Sequence, residues 1–309
     1  MAINLREMCN VEDQLAPGHR LCPGCAEPVV VRQILHAIEG PVVVANATGC
    51  LEVSTSIFPF TSWRVPWIHS AFENASTTAA GAESMYRSLV RQGKMEENGT
   101  KFIAFGGDGA TYDIGFQFLS GVWERGHKVL YICLNNEAYM NTGIQRSSAT
   151  PMGAWTTTSP VGSARPGKRE NRKNMTAIAV AHEIPYVAQA APHLWRDLMN
   201  KVQRALAADG PSFINVLAPC PRGWRSEPDQ SISLTKLAAD TCVWPLYEVI
   251  EGEWKLSYKP RVKKPVTDWL KSQGRFSHLL KPENDELVAR IQARVDKDWE
   301  GLLAKCETR

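Results

Sequence analysis

The sequence lacks any apolar run close to the ~18 residues that a transmembrane helix requires. Its first ten residues include Arg6 and Glu7 and have no apolar core, so we expect no secretory signal. These two absences predict a cytoplasmic protein without a membrane partner.

An excess of one charge sign is also lacking. The chain has 35 Lys and Arg against 32 Asp and Glu, and a formal net charge of +3 is too small to argue for a nucleic-acid partner. The ten tryptophans are not interleaved with basic residues, as a base-stacking surface would require. The sequence contains no internal repeat, no P-loop and no G-x-S-x-G element. We therefore expect no nucleic-acid partner.

What the sequence does contain is eight cysteines in 309 residues. Thiols of cytosolic proteins rarely form disulfides, so their spacing points to metal ligands or redox chemistry. Cys22 and Cys25 form a C-x₂-C pair, and Cys50 and Cys220 follow predicted strands. Four thiolates can hold zinc or a [4Fe–4S] cluster, and a redox pair of Cys22 and Cys25 is a third interpretation. The remaining cysteines are expected to be ordinary thiols: Cys9, Cys133, Cys242 and Cys306.

Residues 1–245 alternate between short β-rich runs and helical patterns. The pattern predicts strands at 41–45, 102–105, 129–133, 186–187 and 213–217, and helices at 75–92, 114–125, 177–182 and 194–208. Such alternation is typical of an α/β fold, a mostly parallel sheet with helices on both faces. In these folds ligands bind at the carboxyl ends of the strands. We therefore expect the functional residues at those ends.

Gly107-Asp108-Gly109 follows one predicted strand, and Asn135-Asn136 follows the next. Asp108 and Asn136 would place hard oxygen ligands at one sheet edge, as Mg²⁺ bound to a diphosphate requires. Asn136 lies 28 positions after Asp108. This pair of motifs resembles the thiamine diphosphate signature, in which Gly-Asp-Gly is followed by Asn-Asn at similar spacing.

Residues 246–309 are predicted to form a C-terminal arm. Positions 251–309 hold 23 charged residues, and Pro260 and Pro265 favour an extended connector. A helical stripe then runs through Leu287, Ile291, Val295, Trp299 and Leu302. The stripe could dock on the chain's own body or on a partner subunit. In the same way, the basic loop 152–174 could be solvated or could contact coenzyme A or a partner.

From about residue 21 to about residue 221 the chain resembles the β subunits of the 2-oxoacid:ferredoxin oxidoreductase family. The motifs that carry the resemblance are Cys22-Pro-Gly-Cys25-Ala-Glu27, Ala47-Thr-Gly-Cys50, Pro66-Trp-Ile-His69, Phe72-Glu-Asn74, Gly107-Asp-Gly109 and Asn136-Glu-Ala-Tyr-Met-Asn-Thr-Gly143. Residues 144–151 are similar to the pyruvate enzymes built from separate subunits. Ala26 and Ile144 depart from common usage, which bears on the exact 2-oxoacid and removes no ligand.

The resemblance implies a thiamine-diphosphate-binding fold and an oxidoreductase of oxygen-poor metabolism. The implied reaction is the oxidative decarboxylation of pyruvate with coenzyme A to acetyl-CoA and CO₂, with reduction of ferredoxin, or the reverse synthesis of pyruvate. Three alternatives stay open. The first is the same chemistry on another substrate, which could be 2-oxoglutarate, a branched-chain 2-oxoacid or oxalate. The second is a non-redox thiamine decarboxylase with structural zinc. The third is a non-catalytic metal-binding subunit.

The resemblance also implies a role for each matched position. The [4Fe–4S] ligands would be Cys22, Cys25, Cys50 and Cys220. Mg²⁺ would be held by the side chains of Asp108 and Asn136 and the carbonyl of Ala138. Thiamine diphosphate would contact Glu27, Cys50, Gly107, Asp108, Gly109, Ala110, Asn136, Glu137, Ala138, Tyr139, Met140 and Asn141. Glu27 and Asn141 would be catalytic, with Asn141 near the thiazolium. His69 is a further candidate for lining the site, and His36 is expected to be a packed or surface residue.

The same resemblance implies that the chain is only part of an enzyme. The carboxylate that activates the pyrimidine ring comes from a separate subunit or domain in this family, and no second thiamine-type domain fits into the 309 residues. The chain also lacks the cysteine run of a two-cluster ferredoxin. The expected partners are a pyrimidine-binding α subunit, a γ subunit and a ferredoxin-like δ subunit, or fused equivalents.

Overall fold

An eight-stranded sheet forms the centre of the computed structural model, which describes residues 5–162 and 165–307. Its strands lie in the order β10-β9-β7-β8-β4-β3-β1-β2, and β5 and β6 pair separately. The strands are β1 (Val42–Ala47), β2 (Trp67–Ser70), β3 (Lys101–Gly107), β4 (Leu130–Asn135), β5 (Val161–Gly162), β6 (Arg165–Pro166), β7 (Tyr186–Ala190), β8 (Ser212–Leu217), β9 (Tyr247–Ile250) and β10 (Glu253–Leu256).

The sheet is mostly parallel, which confirms the predicted fold class. The neighbouring pairs β2–β1, β1–β3, β3–β4, β4–β8 and β8–β7 are all parallel, and β9 alone of this sheet's strands is reversed, pairing antiparallel with both β7 and β10. β4 is buried along its whole length, as expected for a strand covered on both faces. Cys133 lies in β4 with no exposed surface, so the expectation of an ordinary buried thiol is confirmed.

Helices cover both faces of the sheet. One hydrophobic core packs α2 and α7 against the strands, and a second packs α4, α5, α6 and the long C-terminal helix against the other face. The helices are α1 (Leu5–Met8), α2 (Glu27–His36), α3 (Cys50–Thr55), α4 (Ala75–Arg91), α5 (Phe116–Glu124), α6 (Met175–Val180), α7 (Trp195–Ala207), α8 (Pro221–Trp224), α9 (Ser231–Asp240), α10 (Val266–Lys271) and α11 (Asp285–Glu307).

The predicted helices at 75–92 and 194–208 match α4 and α7 within one residue. The helix expected at 114–125 begins two residues later, because a π-helical turn at Gly109–Ile114 comes before it. Such widened turns are frequent at functional sites. Among the described residues, no helix has both the length and the apolar composition needed to cross a bilayer.

The residues after 245 begin by extending the main sheet. β9 pairs with β7, and β10 pairs with β9. The predicted domain boundary at 245 stays a prediction, but it falls two residues before a strand of the common sheet. Sequence patterns gave no warning of these strands because charged residues such as Glu248 and Glu253 interrupt the β-rich pattern.

The helical stripe of the C-terminal arm packs against the chain's own body. Trp299 and Leu302 of α11 are buried in the second core, beside Val295. Leu287 and Ile291 pack against a third core that includes α10. Of the two open alternatives, docking on the body is therefore the one that the structure contains.

The basic loop 152–174 turns two of its cations inward. The Lys168 side chain is buried, and its Nζ donates to the Thr150 carbonyl at 2.5 Å. Burial lowers the pKa of Lys168 to about 8. Arg172 reaches the Glu137 carboxylate at 3.1 Å. These two positions are not part of a freely solvated charged loop.

Candidate active site

The carboxyl ends of β1, β3 and β4 border one cavity of about 610 Å³. The lining combines three strand ends with single residues from α2 and the segment after β2. It consists of Glu27, Asn46–Leu51, Phe72, Gly106–Gly109, Leu134, Asn136 and Ala138–Thr142. The structure thus brings together most of the predicted site residues, although they are distant in sequence.

Two carboxylates in this cavity are buried and each leaves one oxygen bare. Asp108 is 1% exposed; its Oδ2 accepts from the Ser147 hydroxyl, while Oδ1 has no partner among the described residues. Glu27 is 4% exposed; its Oε1 accepts from Asn136 Nδ2 at 3.0 Å, while Oε2 is likewise bare. Burial raises the pKa of both carboxyls to about 7. A buried carboxylate without full hydrogen bonding is costly unless a cation or proton neutralises it.

The donor set beside Asp108 fits Mg²⁺. Asn136 is buried, and its Oδ1 accepts only a long bond of 3.4 Å from the Ala138 amide. Asp108 Oδ1 and Asn136 Oδ1 are hard oxygens at neighbouring strand ends, which is the chemistry Mg²⁺ prefers.

The two glycines beside Asp108 have different structural reasons. A Cβ at Gly107 would meet nothing within 4 Å, so that position opens onto free space. A Cβ at Gly109 would come within 2.2 Å of Tyr139 Cε1, so only glycine allows this ring to cover the turn. Tyr139 in turn packs edge-on against Phe72, with ring centroids 5.7 Å apart. The cavity wall is therefore open at Gly107 and covered by the Tyr139 ring at Gly109.

The four predicted cluster cysteines share one electrostatic neighbourhood. Burial raises the pKa of Cys25, Cys50 and Cys220, and the Glu27 carboxylate raises each of them further. Cys25 is also influenced by Cys50 and Cys220, while Cys22 acts on Cys50 and Cys220. Thiols in such a setting are poor anions unless bound metal stabilises the thiolates.

The loops that carry these thiols are tightly held. Gly24 in the C-x₂-C turn has φ of +74°, and a Cβ there would lie 2.2 Å from the Pro228 carbonyl oxygen. Cys220 Sγ accepts from the Gly223 amide at 3.4 Å. Within the described ranges, no three His, Cys, Asp or Glu side chains are already arranged to hold a single metal ion. The donor set of four thiols is that of an iron–sulfur cluster or a zinc site.

Two predicted cofactor contacts lie outside the cavity lining. Ala110 is buried beneath Gly106. Glu137 turns its carboxylate away from the cavity, to Arg275 Nη2 at 2.5 Å and Arg172 Nη1 at 3.1 Å. The physical reason is charge, because Arg275 and Arg172 neutralise the buried carboxylate and neither of them lines the cavity.

The histidines behave differently from one another. His69 does not line the cavity, but its Nε2 lies 3.0 Å from the Oγ1 of Thr48, which does. His36 is partly buried and pairs with Asp13 at 2.7 Å, in agreement with its expected packing role. Sequence reasoning missed Ser147, the partner of Asp108, although it lies in the quoted segment 144–151. It also missed Arg275, for which no local signal exists.

Comparison with known proteins adds to this geometry. Residues 47–216 match the family described as thiamine pyrophosphate enzyme, C-terminal TPP binding domain. The pyruvate synthase subunit PorB of Thermotoga maritima is 50% identical, over 98% of this chain and 96% of the relative. The same subunit of Methanocaldococcus jannaschii is 51% identical, over 93% and 95%. A 2-oxoglutarate:ferredoxin oxidoreductase structure from Magnetococcus marinus shares the fold with a TM-score of 0.54 at 18% identity, covering 74% of this chain and 81% of that one.

Proposed function

The chain belongs to the family of pyruvate synthase PorB subunits, and from that membership we propose that it is the thiamine-binding β subunit of a pyruvate:ferredoxin oxidoreductase. It contains the thiamine pyrophosphate binding domain of that enzyme class. The observation that carries the proposal is the cavity in which Asp108 and Glu27 each keep a bare, buried oxygen beside the open Gly107 cradle.

In the proposed site, Asp108, Asn136 and the Ala138 carbonyl would hold Mg²⁺, and the backbone around Gly107 would receive the diphosphate. Thiamine diphosphate supplies a nucleophilic carbon for the 2-oxo group and a sink for the electron pair released with CO₂. Ser147 keeps one oxygen of Asp108 occupied, so the other would be left for the metal. This division of labour is typical of residues that orient a metal ligand.

Glu27 is proposed to hold and move a proton inside the cavity. Glu27 is buried in the cavity wall, which raises the pKa of its carboxyl, and its Oε2 has no partner among the described residues, so it can exchange a proton with a bound molecule. The Asn136 amide fixes one of its oxygens, so the exchange takes place at Oε2. Asn141 and Met140 line the same cavity and are proposed to contact the substrate end of the cofactor.

Cys50 is proposed to join the two parts of the site. It lines the cavity and also belongs to the four thiols proposed to bind a [4Fe–4S] cluster. Electrons leaving the cavity would therefore have a short path to the cluster, and from there to ferredoxin. The proposed partners are the α, γ and δ subunits, with pyruvate and coenzyme A as substrates. A cytoplasmic location stays a prediction.

The test is made on the complex assembled anaerobically from this chain and its partner subunits. We expect the chain to contain iron, with a visible absorption that dithionite bleaches. The complex should reduce a viologen dye when pyruvate and coenzyme A are both present, and the chain alone should not. A panel of pyruvate, 2-oxoglutarate, branched-chain 2-oxoacids and oxalate identifies the substrate. Zinc without iron would replace the proposal with a non-redox thiamine decarboxylase, and absence of thiamine diphosphate binding would leave a non-catalytic subunit.

A matched pair of cysteine variants tests the cluster ligands. Cys220→Ser should lose iron and the visible absorption, because one of the four thiolates is gone. Cys306→Ser changes another partly buried thiol, on α11 and not in the cavity lining, and should keep both. Equal iron content in the two variants would contradict the assignment of Cys220.

A further inference from the structure

Behind the metal side of the cavity, a buried arginine from the C-terminal arm holds the segment that carries the proposed Mg²⁺ ligand. We propose that Arg275 is a positioning residue: it fixes the Asn136–Glu137 segment so that the Asn136 side chain faces the metal. This inference rests on the proposed function, since it gives Arg275 a role in binding Mg²⁺ and thiamine diphosphate.

The Asn136–Glu137 segment needs external support. Glu137 has φ of +68°, in the left-handed region that residues with a side chain rarely adopt. Such a conformation persists only where the surroundings fix it. The Glu137 amide donates to Asn135 Oδ1 at 3.1 Å, and its carbonyl accepts from Thr150 Oγ1 at 2.6 Å. The backbone of Glu137 is therefore anchored by two hydrogen bonds, and its carboxylate is the remaining group that can fix the conformation of the segment.

Arg275 is the buried partner of that carboxylate. Both side chains are almost fully buried, at 2% and 1% exposure, and Nη2 lies 2.5 Å from Glu137 Oε2. Arg172 also reaches Glu137, but its side chain is 28% exposed. Gln273 Oε1 accepts from Arg275 Nε at 2.9 Å and fixes the plane of the guanidinium. In a buried pair of this kind, removal of one charge leaves the other uncompensated.

A second contact of Arg275 reaches the other residue of the segment. Its guanidinium carbon lies 4.2 Å from the ring centre of Trp224. Trp224 Nε1 donates to the Asn136 carbonyl at 2.8 Å. Thus Arg275 supports Glu137 directly and Asn136 through Trp224, and neither Arg275 nor Trp224 lines the cavity.

This arrangement separates the two ends of Asn136. Its carbonyl is held by Trp224, which does not line the cavity, and its side chain lies in the cavity wall beside Glu27. A shift of the segment would move Oδ1 relative to Asp108. Groups that orient a metal ligand without touching the metal commonly change metal affinity about 10–100-fold when removed.

The test compares Arg275→Met and Arg275→Lys with the wild type in the assembled complex. Two quantities are measured at a temperature where circular dichroism shows each variant folded. They are the Kd for thiamine diphosphate at saturating Mg²⁺ and the Mg²⁺ concentration for half-saturation at fixed thiamine diphosphate. We expect Arg275→Met to weaken both by about 10–100-fold. Arg275→Lys keeps the charge but loses the planar stacking, so it should lie between Arg275→Met and wild type.

Glu248→Gln is the matched control. Glu248 is also a buried carboxylate, paired with Arg204 Nε at 2.7 Å and with the Tyr186 hydroxyl, but it lies on β9 and does not line the cavity. The Glu248→Gln variant should therefore have a lower thermal midpoint than the wild type, with both affinities unchanged. Wild-type affinities in Arg275→Met, or an equal loss in Glu248→Gln, would overturn the inference. If Arg275→Met does not fold, Arg275→Lys decides in the same way. A wild-type complex that binds no thiamine diphosphate would instead overturn the proposed function.

Discussion

The two sides of the Asn136–Glu137 segment bury carboxylates to a similar extent and treat them in opposite ways. On the cavity side, Asp108 and Glu27 each leave an oxygen without a partner among the described residues. The other side is called the arm side here because Arg275 belongs to the C-terminal arm. On this side, both oxygens of Glu137 are paired with arginines. Burial alone therefore does not distinguish a ligand site from a structural ion pair. The distinguishing property is whether the chain satisfies the charge itself or leaves it for something that binds.

The two sides also differ in how the chain assembles them. The cavity side is built from strand ends, which the parallel sheet brings to one edge. The arm side combines Arg172 from the basic loop, Trp224 after a cysteine loop and Arg275 from near the C terminus. A sheet edge thus supplies the chemistry, and distant segments supply the support behind it.

The largest expected effect comes from removing the unsatisfied charge. Asp108→Ala should weaken Mg²⁺-dependent binding of thiamine diphosphate by more than about 100-fold, because a direct ligand matters more than its supporting residues. The thermal midpoint without cofactor should not fall, since the variant removes a buried carboxyl that the chain leaves partly unpaired. Calorimetric titration of the complex and thermal unfolding measure the two effects. A lower midpoint with unchanged binding would reverse the comparison.

The opposite pattern is expected on the arm side. Glu137→Gln should lower the free energy of unfolding by about 3–5 kcal/mol, because it leaves the buried Arg275 guanidinium without its counter-charge. Denaturant unfolding of the purified chain measures this value. If Glu137→Gln cost no more stability than Asp108→Ala, the distinction between satisfied and unsatisfied carboxylates would have no energetic basis.

The cavity side could be predicted from the sequence because each of its signals is local. Gly107-Asp108-Gly109 and Asn135-Asn136 each follow a β-rich run directly, and parallel strands bring such ends together. The fold class followed from the same alternation. The candidate cysteine ligands could be identified for the same reason, since each lies in a local motif or directly follows a strand. That all four share one neighbourhood could be seen only in the three-dimensional structure.

The arm side could not be predicted because its contacts are distant in sequence. Arg275 lies 138 positions from Glu137, in a stretch with no pattern that marks it. Nor could the sequence predict that Glu137 would turn from the cavity, since its neighbours on both sides line it. The direction of that side chain depends on a cation supplied by a segment that the charge pattern set apart as an arm.

A smaller effect is expected at the C-x₂-C turn that carries two of the predicted cluster ligands. Gly24→Ala places a Cβ against the Pro228 carbonyl at a residue with positive φ, which should cost about 1–3 kcal/mol and lower the iron content of the chain. Gly81→Ala in α4 meets nothing within 4 Å, so it should stabilise the chain by about 0.5–1 kcal/mol with iron unchanged. Denaturant unfolding and iron analysis compare the two. Equal iron contents would show that the turn does not set the cysteine geometry.

The smallest effect tests an unsatisfied group that does not line the candidate cavity. His193 Nδ1 lies 3.1 Å from Thr235 Oγ1, and Nε2 has no partner within the described ranges. Burial, with Lys236 nearby and Asp240 opposing it, lowers the pKa of His193 to about 4 from 6.5. Between these values the unfolded chain takes up a proton that the folded chain does not, so stability falls as the pH drops from about 6.5 to 4. After allowance for solvent screening, His193→Gln should remove on the order of 1 kcal/mol of this pH dependence, measured by denaturant unfolding at pH 7.5 and 5. The same pH dependence in the variant would mean that a partner stabilises the protonated His193 ring, as the arginines stabilise the ionised carboxylate of Glu137.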